Sequence, residues 1–348
     1  MPHTTVICPA YNRGRAIVPT LESVCRQTMT DWELIVVSDA SSDDTDDRVR
    51  EVAARDRRVR LLRTPRFGSQ SGPTNLALAE ASGAYIAYLD HDDLWEPGHL
   101  RLLAEAFDAG AEFVATRTVD VDATGAVHAV TPALAMVWHP ELQLMSPLFE
   151  NSCAGHVAGL AQRVGGWRES AVGLEDWDLW LRFADAGVRC TTHLDKTVRV
   201  LQDPGTRQHS MPCDHRHEIA RFDSVLAARA ALRTLCDPAL AAAEREATRK
   251  DVVHWYTALA ERGELVFPHG WQGGADALPA AVDAQLRGSA DKWRGLVVER
   301  HADHVSLSQL LPTMTAEHAA RYSAFFRRTM RHQQDFLCEV LPEGSVVR

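Results

Sequence analysis

The stretch WELIVVSDASSDDTDD, Trp32 to Asp47, decides the fold. Leu34, Ile35, Val36 and Val37 follow one another with too little alternation for a strand that faces water on one side. A strand buried on both faces reads this way, and such strands belong to parallel sheets covered by helices. The run then breaks into a polar loop beginning at Asp39. Acidic residues open the next segment, which continues as a helix through Val49, Val52 and Ala53. Carboxylates in a first helical turn are favoured by the positive end of the helix dipole.

The same alternation extends in both directions. Upstream, TTVIC is a β-branched run broken by PAYNRG, and AIVPTLESVCRQ places Ile17, Leu21, Val24 and Cys25 on one helical face. Downstream, RVRLLR predicts a third strand, GPTNLALAEASG a helix ended by Gly83, and AYIAYL a fourth strand. The order β-α-β-α-β-α-β predicts an open, Rossmann-like, mainly parallel sheet flanked by helices. Loops that follow strand C-termini in such a sheet gather at one edge, where ligands bind. PAYN (Pro9 to Asn12), DASSDD (Asp39 to Asp44) and DHDD (Asp90 to Asp93) are three such loops. Each alone reads as an ordinary polar turn; together they predict a shared site.

From about 112 to 210 the pattern is less regular. AEFVATRTVDVDATGAVHAV predicts two strands around the turn Asp122 to Gly125. A Gly-rich turn then leads into a helix near Asp176, ended by Gly187. Beyond Cys213 the pattern is mostly helical, and Tyr322, Phe325, Phe326 and Met330 form an aromatic stripe most simply read as core. The expected division is a domain over 1–212 and a mostly helical region over 213–348.

The 348 residues carry 37 Lys and Arg against 47 Asp and Glu, a formal charge of −10. That balance argues against nucleic acid, whose phosphates need a basic face, but leaves room for a nucleotide in a local pocket. Seven scattered cysteines without a C-x-x-C pair suit reduced thiols of the cytoplasm. The N-terminus lacks the pattern of a signal peptide. No apolar run approaches the roughly 20 residues of a membrane span. The expectation is a cytoplasmic protein, peripheral attachment to a membrane being the variant.

YIAYLDHDDLW, Tyr85 to Trp95, ends an apolar strand in three carboxylates within four residues. Like charges so close repel, and each stays ionised only with solvent or a cation nearby. Asp90, Asp92 and Asp93 are therefore either a solvated turn or a cation site.

VICPAYNR (6–13), WELIVVSDASSDDT (32–45), ASGAYIAYLDHDDLWEP (81–97) and GGWRESAVGLEDWDLWLR (165–182) occur in the order and at the spacing of the family 2 glycosyltransferases, inverting enzymes with the GT-A fold. The chain resembles that family over about its first 210 residues. The resemblance implies a UDP-sugar donor, a divalent Mn²⁺ or Mg²⁺ and an acceptor hydroxyl on a glycan or small natural product.

By that resemblance Pro9, Ala10, Tyr11 and Asn12 cradle the base, with Tyr11 either stacking or packing. Asp39 accepts the imide N–H of uracil or else serves as a turn aspartate. Asn75 matches a nucleotide contact, but the Arg that commonly precedes it is Thr74 here; Arg66 is either its substitute or a solvated loop charge. Asp90 holds ribose or sugar hydroxyls, and Asp92 ligates the cation, whose oxygen ligands suit Mg²⁺ or Mn²⁺. The role of Asp93 stays open. Asp176 is the general base and Glu175 orients the acceptor, with helix capping as the alternative. Asp178 is structural. Trp177 and Trp180 wall the acceptor pocket or belong to the core. His209 is the expected further cation ligand, with His193, His215 and His217 as competitors. Cys213, His215 and His217 lack a standard zinc spacing.

Processive synthases usually carry Q-x-x-R-W and membrane helices, and neither is present, so a single transfer is expected. The C-terminal region covers the acceptor site, forms a homodimer, or both. Two other readings compete. A sugar-nucleotide pyrophosphorylase shares the sheet type but needs a Gly-rich basic N-terminal loop that PAYNRG does not supply. A non-catalytic nucleotide- or carbohydrate-binding module has no need of a base.

Overall fold

The computed structural model describes residues 3–171, 173–202, 215–288, 295–311 and 315–348. They fall into two compact units, Met1–Ser210 with Val266–Trp271, and Met211–Leu265 with Gln272–Arg348. The chain therefore returns to the first unit after leaving it. Trp138 and Val266 exchange backbone hydrogen bonds of 2.8 and 3.0 Å, and Leu194 N donates to His269 O at 3.0 Å. A single boundary at 212 does not describe this course. The returning segment is six residues of irregular chain, without the periodicity that marks an element.

The first unit holds strands β1 (Thr4–Ala10), β2 (Trp32–Asp39), β3 (Val59–Thr64), β4 (Tyr85–Tyr88), β5 (Leu94–Trp95), β6 (Phe113–Val121), β7 (Val127–Val130), β8 (Ala154–Val157) and β9 (Cys190–Leu201). Its helices are α1 (Val18–Cys25), α2 (Thr45–Arg55), α3 (Ser71–Glu80), α4 (His99–Asp108), α5 (Leu142–Met145), α6 (Leu160–Arg163) and α7 (Glu175–Asp185). The sheet order is β3-β2-β1-β4-β8-β6-β9-β5, with β7 paired to β6. The four strands read from the first third are mutually parallel. Beyond β4 the sheet is mixed: β8 runs antiparallel to β4 and β6, and β6 runs parallel to β9.

Leu34 to Val37 are fully buried, as the missing alternation requires. Burying each such side chain contributes about 1.5–3 kcal/mol. The chain leaves β1 for β2 on one side and reaches β4 on the other. The ends of β1, β2 and β4 thus bracket a switch point, where an open α/β sheet leaves a crevice. Helix α7 carries five charged residues, yet most of it is buried, with Trp177, Leu179, Trp180 and Phe183 packed inside the unit together with Glu175 and Asp178. Trp180 packs on Phe113 at 4.7 Å between ring centroids.

Gly83 enters β4 against β1. A Cβ there would meet the Thr5 backbone nitrogen at 2.5 Å, and Gly83 N donates to Thr5 Oγ1 at 2.9 Å. Backbone cannot step aside as a side chain can. Gly83→Ala is expected to destabilise by about 1–3 kcal/mol, read as a lower denaturant midpoint with an unchanged slope.

The second unit holds β10 (His215–Phe222), α8 (Val225–Leu235), α9 (Ala241–Glu261), α10 (Leu278–Gly288), β11 (Leu296–Arg300), β12 (Val305–Leu311), α11 (Ala316–Thr329), α12 (Arg331–Val340) and β13 (Val346–Val347). Helices dominate it, as expected, but it also contains an antiparallel sheet in the order β11-β12-β10-β13. Tyr322, Phe325, Phe326 and Met330 are buried. Among the described residues no helix is long and apolar enough to cross a membrane.

Candidate active site

Two loops at the strand ends are fastened to each other. Arg13 N and Gly14 N both donate to Thr45 Oγ1 at 2.7 Å. Asn12 and Ala40 adopt left-handed backbone with φ of 48° and 54°, a conformation that costs a residue with a side chain and is often kept at functional sites. Asn12 Oδ1 accepts from Ser42 N at 2.8 Å.

These loops border a cavity of about 370 Å³. Pro9, Ala10 and Tyr11 line it from β1, Asp39 from β2, and Arg66, Gly68, Ser69, Gln70 and Pro73 from the approach to α3 and its first turn. Asp90, His91, Asp92, Glu150, Gly173, Glu175 and Asp176 complete it. Residues more than 160 positions apart thus share one small space.

At the β2 end, Asp39 is buried and accepts from Phe67 N at 2.6 Å and Gly68 N at 3.0 Å. Arg66 pairs with the same carboxylate and lays its guanidinium 3.4 Å above the Tyr11 ring. Arg66, though exposed, thus borders the cavity and engages Asp39. It covers the aromatic face that a base would stack on.

At the β4 end, Asp90 Oδ1 accepts from Asn151 Nδ2 at 2.9 Å. Asp92 Oδ2 lies 3.2 Å from Arg13 Nη2 and 4.0 Å from His91 Nε2. His91 is bonded through Nδ1 to Pro9 O at 3.1 Å. Burial lowers its pKa to about 4, so the ring is neutral at physiological pH. Asp93 turns away: it is 1% exposed and accepts from Ser152 Oγ at 2.6 Å and Leu201 N at 3.2 Å. It ties the acidic loop to its neighbours. The donors that Asp90 and Asp92 offer the cavity are hard carboxylate oxygens, which fit Mg²⁺ or Mn²⁺ better than softer metals.

Across the cavity, α7 begins with Glu175 and Asp176. The Asp176 pKa is pushed up to about 8, first by burial, then by the charge of Glu150, with Asp90 and Glu175 adding to it. A hydrogen bond from Trp177 N at 2.7 Å works the other way. Glu175 is raised too, again mainly by burial. A carboxylate held near neutral pKa is suited to taking a proton.

Several expected contacts lie off this cavity. Asn12 spends its side chain on Ser42. Asn75 donates to Trp167 O at 2.8 Å and accepts from Trp167 N at 3.0 Å, stapling α3 to the 165–168 turn. Trp177 is 1% exposed and donates to Gln143 O at 2.6 Å, and Trp180 donates to Phe149 O at 3.2 Å; both rings are core and neither walls the cavity. Asp178 is held by Arg182 at 2.9 Å. His209 and Cys213 lie outside the described residues. His193 stacks on His269, 4.4 Å between centroids, and His217 is buried against Ser323 and Phe326. Glu150, Asn151, Gln70 and His91 went unnoticed in the sequence as site residues. Glu150 and Asn151 follow SPLF in an irregular stretch with no motif to flag them.

The parallel β3-β2-β1-β4 core, the mixed extension and the acidic cavity at the switch point define a GT-A-type domain. Residues 5–164, a little under half of the chain, match the model described as Glycosyl transferase family 2. The y4gI protein of Sinorhizobium fredii (strain NBRC 101917 / NGR234) is 35% identical over 190 residues, 52% of this chain and 20% of that protein. The Escherichia coli UDP-Glc:alpha-D-GlcNAc-diphosphoundecaprenol beta-1,3-glucosyltransferase WfgD is 40% identical over 98 residues, 28% of this chain and 38% of that protein. The chain thus spans well under two thirds of either relative. S. aureus TarS 1-349 in complex with UDP-GlcNAc has a similar fold, with a TM-score of 0.51 at 20% identity over 60% of this chain and 61% of that one.

Proposed function

We propose that the first unit is a metal-dependent, inverting glycosyltransferase that moves a sugar from a UDP-sugar to an acceptor hydroxyl in a single transfer. One observation carries the reading: the Asp90–Asp92 pair and the Asp176 carboxylate open onto the same cavity. The likeness to TarS, solved with UDP-GlcNAc, supports a nucleotide-sugar donor.

Tyr11 and Asp39 would receive the base, stacking on one and accepting the imide N–H at the other. Arg66 must leave the Tyr11 face for this to occur, which frees a cation beside the entering nucleotide. Asp92 would hold Mg²⁺ or Mn²⁺, with Asp90 nearby for donor hydroxyls. The ion supplies Lewis-acid stabilisation of the diphosphate leaving group. Asp176 takes the acceptor's proton as its oxygen attacks the anomeric carbon from the face opposite the nucleotide, and that geometry inverts the centre. Glu175 borders the same space and orients the acceptor. A cytoplasmic location and a homodimer through the second unit remain part of the proposal.

A thermal-shift panel of nucleotide sugars with and without Mn²⁺ tests it. The matching UDP-sugar with the ion is expected to stabilise the chain by about 2.7 kcal/mol at a hundred times its dissociation constant. Neither ligand alone should do so. Release of pyrophosphate from UTP and a sugar phosphate would instead favour a pyrophosphorylase. Stabilisation without Mn²⁺-dependent donor hydrolysis would favour a binding module.

A further inference from the structure

The second unit carries a cluster for which the proposed reaction has no use. Strands β11 and β12 are joined by the turn His301-Ala-Asp-His304, closed by His301 N donating to His304 O at 2.9 Å. The turn brings two imidazoles together, their rings stacked at 4.4 Å and 13° from parallel. Glu218 of β10 faces them, and its Oε2 lies 3.3 Å from His304 Nε2. One ligand atom from each of Glu218, His301 and His304 falls within 4.8 Å of the others.

The surroundings orient these three groups. Asp303 Oδ1 sits 2.7 Å from His304 Nδ1. That contact holds the proton on Nδ1 and leaves the Nε2 lone pair facing Glu218, the arrangement of a carboxylate that positions a metal-ligating histidine. His301 Nε2 bonds Ser306 Oγ at 2.9 Å, which sets its ring plane. Arg221 Nε takes Glu218 Oε1 at 2.5 Å, and Arg348 Nε lies 3.8 Å from the same oxygen. Oε2 is left to the histidines.

We propose that Glu218, His301 and His304 form a second metal site, for one divalent ion of the zinc class. Two imidazole nitrogens and one carboxylate oxygen are a borderline-soft donor set that suits Zn²⁺, with a fourth position open to water. The carboxylate oxygens of the cavity on the first unit select hard ions instead. The two sites are thus separable by metal. His301 is exposed while Glu218 and His304 are half-buried, so an ion can enter from solvent. Once bound, it clamps the β11–β12 turn to β10 and adds its binding free energy to the stability of the second unit.

The test uses the full chain freed of metal with a chelator and then titrated with Zn²⁺ by calorimetry. Co²⁺ in a parallel titration reports tetrahedral coordination through its visible absorption. One equivalent is expected to bind with that spectrum and to raise the melting temperature. Glu218→Gln and His304→Ala should abolish the spectrum, Asp303→Asn should weaken binding about tenfold, and Asp92→Ala should leave it unchanged. If His304→Ala fails to fold, Glu218→Gln, which preserves shape, decides the matter alone. A Co²⁺ spectrum that survives Glu218→Gln, Zn²⁺ bound only elsewhere on the chain, or no tight Zn²⁺ binding by the wild type would each overturn the site.

Discussion

Asp176→Asn is expected to lower turnover about a thousandfold, within the range for loss of a general base, while donor affinity changes little. The asparagine keeps the shape of the side chain and can still accept from Trp177 N, but it cannot take the acceptor's proton. A second consequence follows from its pKa. The folded wild type holds this proton up to about pH 8, whereas the unfolded chain releases it above about pH 4. The folded state therefore binds more protons in that window, and its stability falls as pH rises through it. Asp176→Asn removes the penalty. The inactive variant should be the more stable at pH 8–9, and the difference should vanish near pH 4. Paired melting curves at the two pH values, run beside steady-state kinetics, check both parts. In kcat/KM, the acidic limb should lie near the same pH and move down in Glu150→Gln, which removes the strongest neighbouring charge. Wild-type turnover in Asp176→Asn would reassign the base.

Asp92→Ala is the complementary result. It should leave nucleotide binding in Mn²⁺ as weak as the wild type's in chelator, a loss of roughly a hundredfold if the ion contributes several kcal/mol. Calorimetry with UDP, with and without the ion, measures this directly. Asp93→Asn is a useful contrast, because Asp93 bonds Ser152 and the Leu201 backbone. It should cost stability more than ion dependence. An Asp92→Ala protein whose UDP affinity still rose with Mn²⁺ would remove Asp92 from the metal site.

The parallel core was legible because its strands are short and each is followed by a polar break, and three of the four are mainly apolar. The cavity edge was legible because β1, β2 and β4 must end on the same side. The sheet of the second unit also left a trace: Val305-Ser-Leu-Ser alternates with period two, and Val305 and Leu307 are buried. The helical runs around it were longer and masked it. Trp177 was ambiguous for a different reason. A tryptophan beside an acidic pair suits a sugar face or a core equally well, and only the seat of α7 inside the unit chooses between them.

By itself the sequence determined the strand and helix order, the polar loops and the types of donor they carry, since these follow from periodicity and residue chemistry within a few turns of chain. The tertiary structure decided that Glu150 stands beside Asp176, that Arg66 covers Tyr11 while engaging Asp39, that Asn75 serves Trp167, and that two histidines of one turn meet Glu218. Each of these joins residues on separate elements. Their meeting depends on how sheets and helices pack, and local pattern carries no record of that.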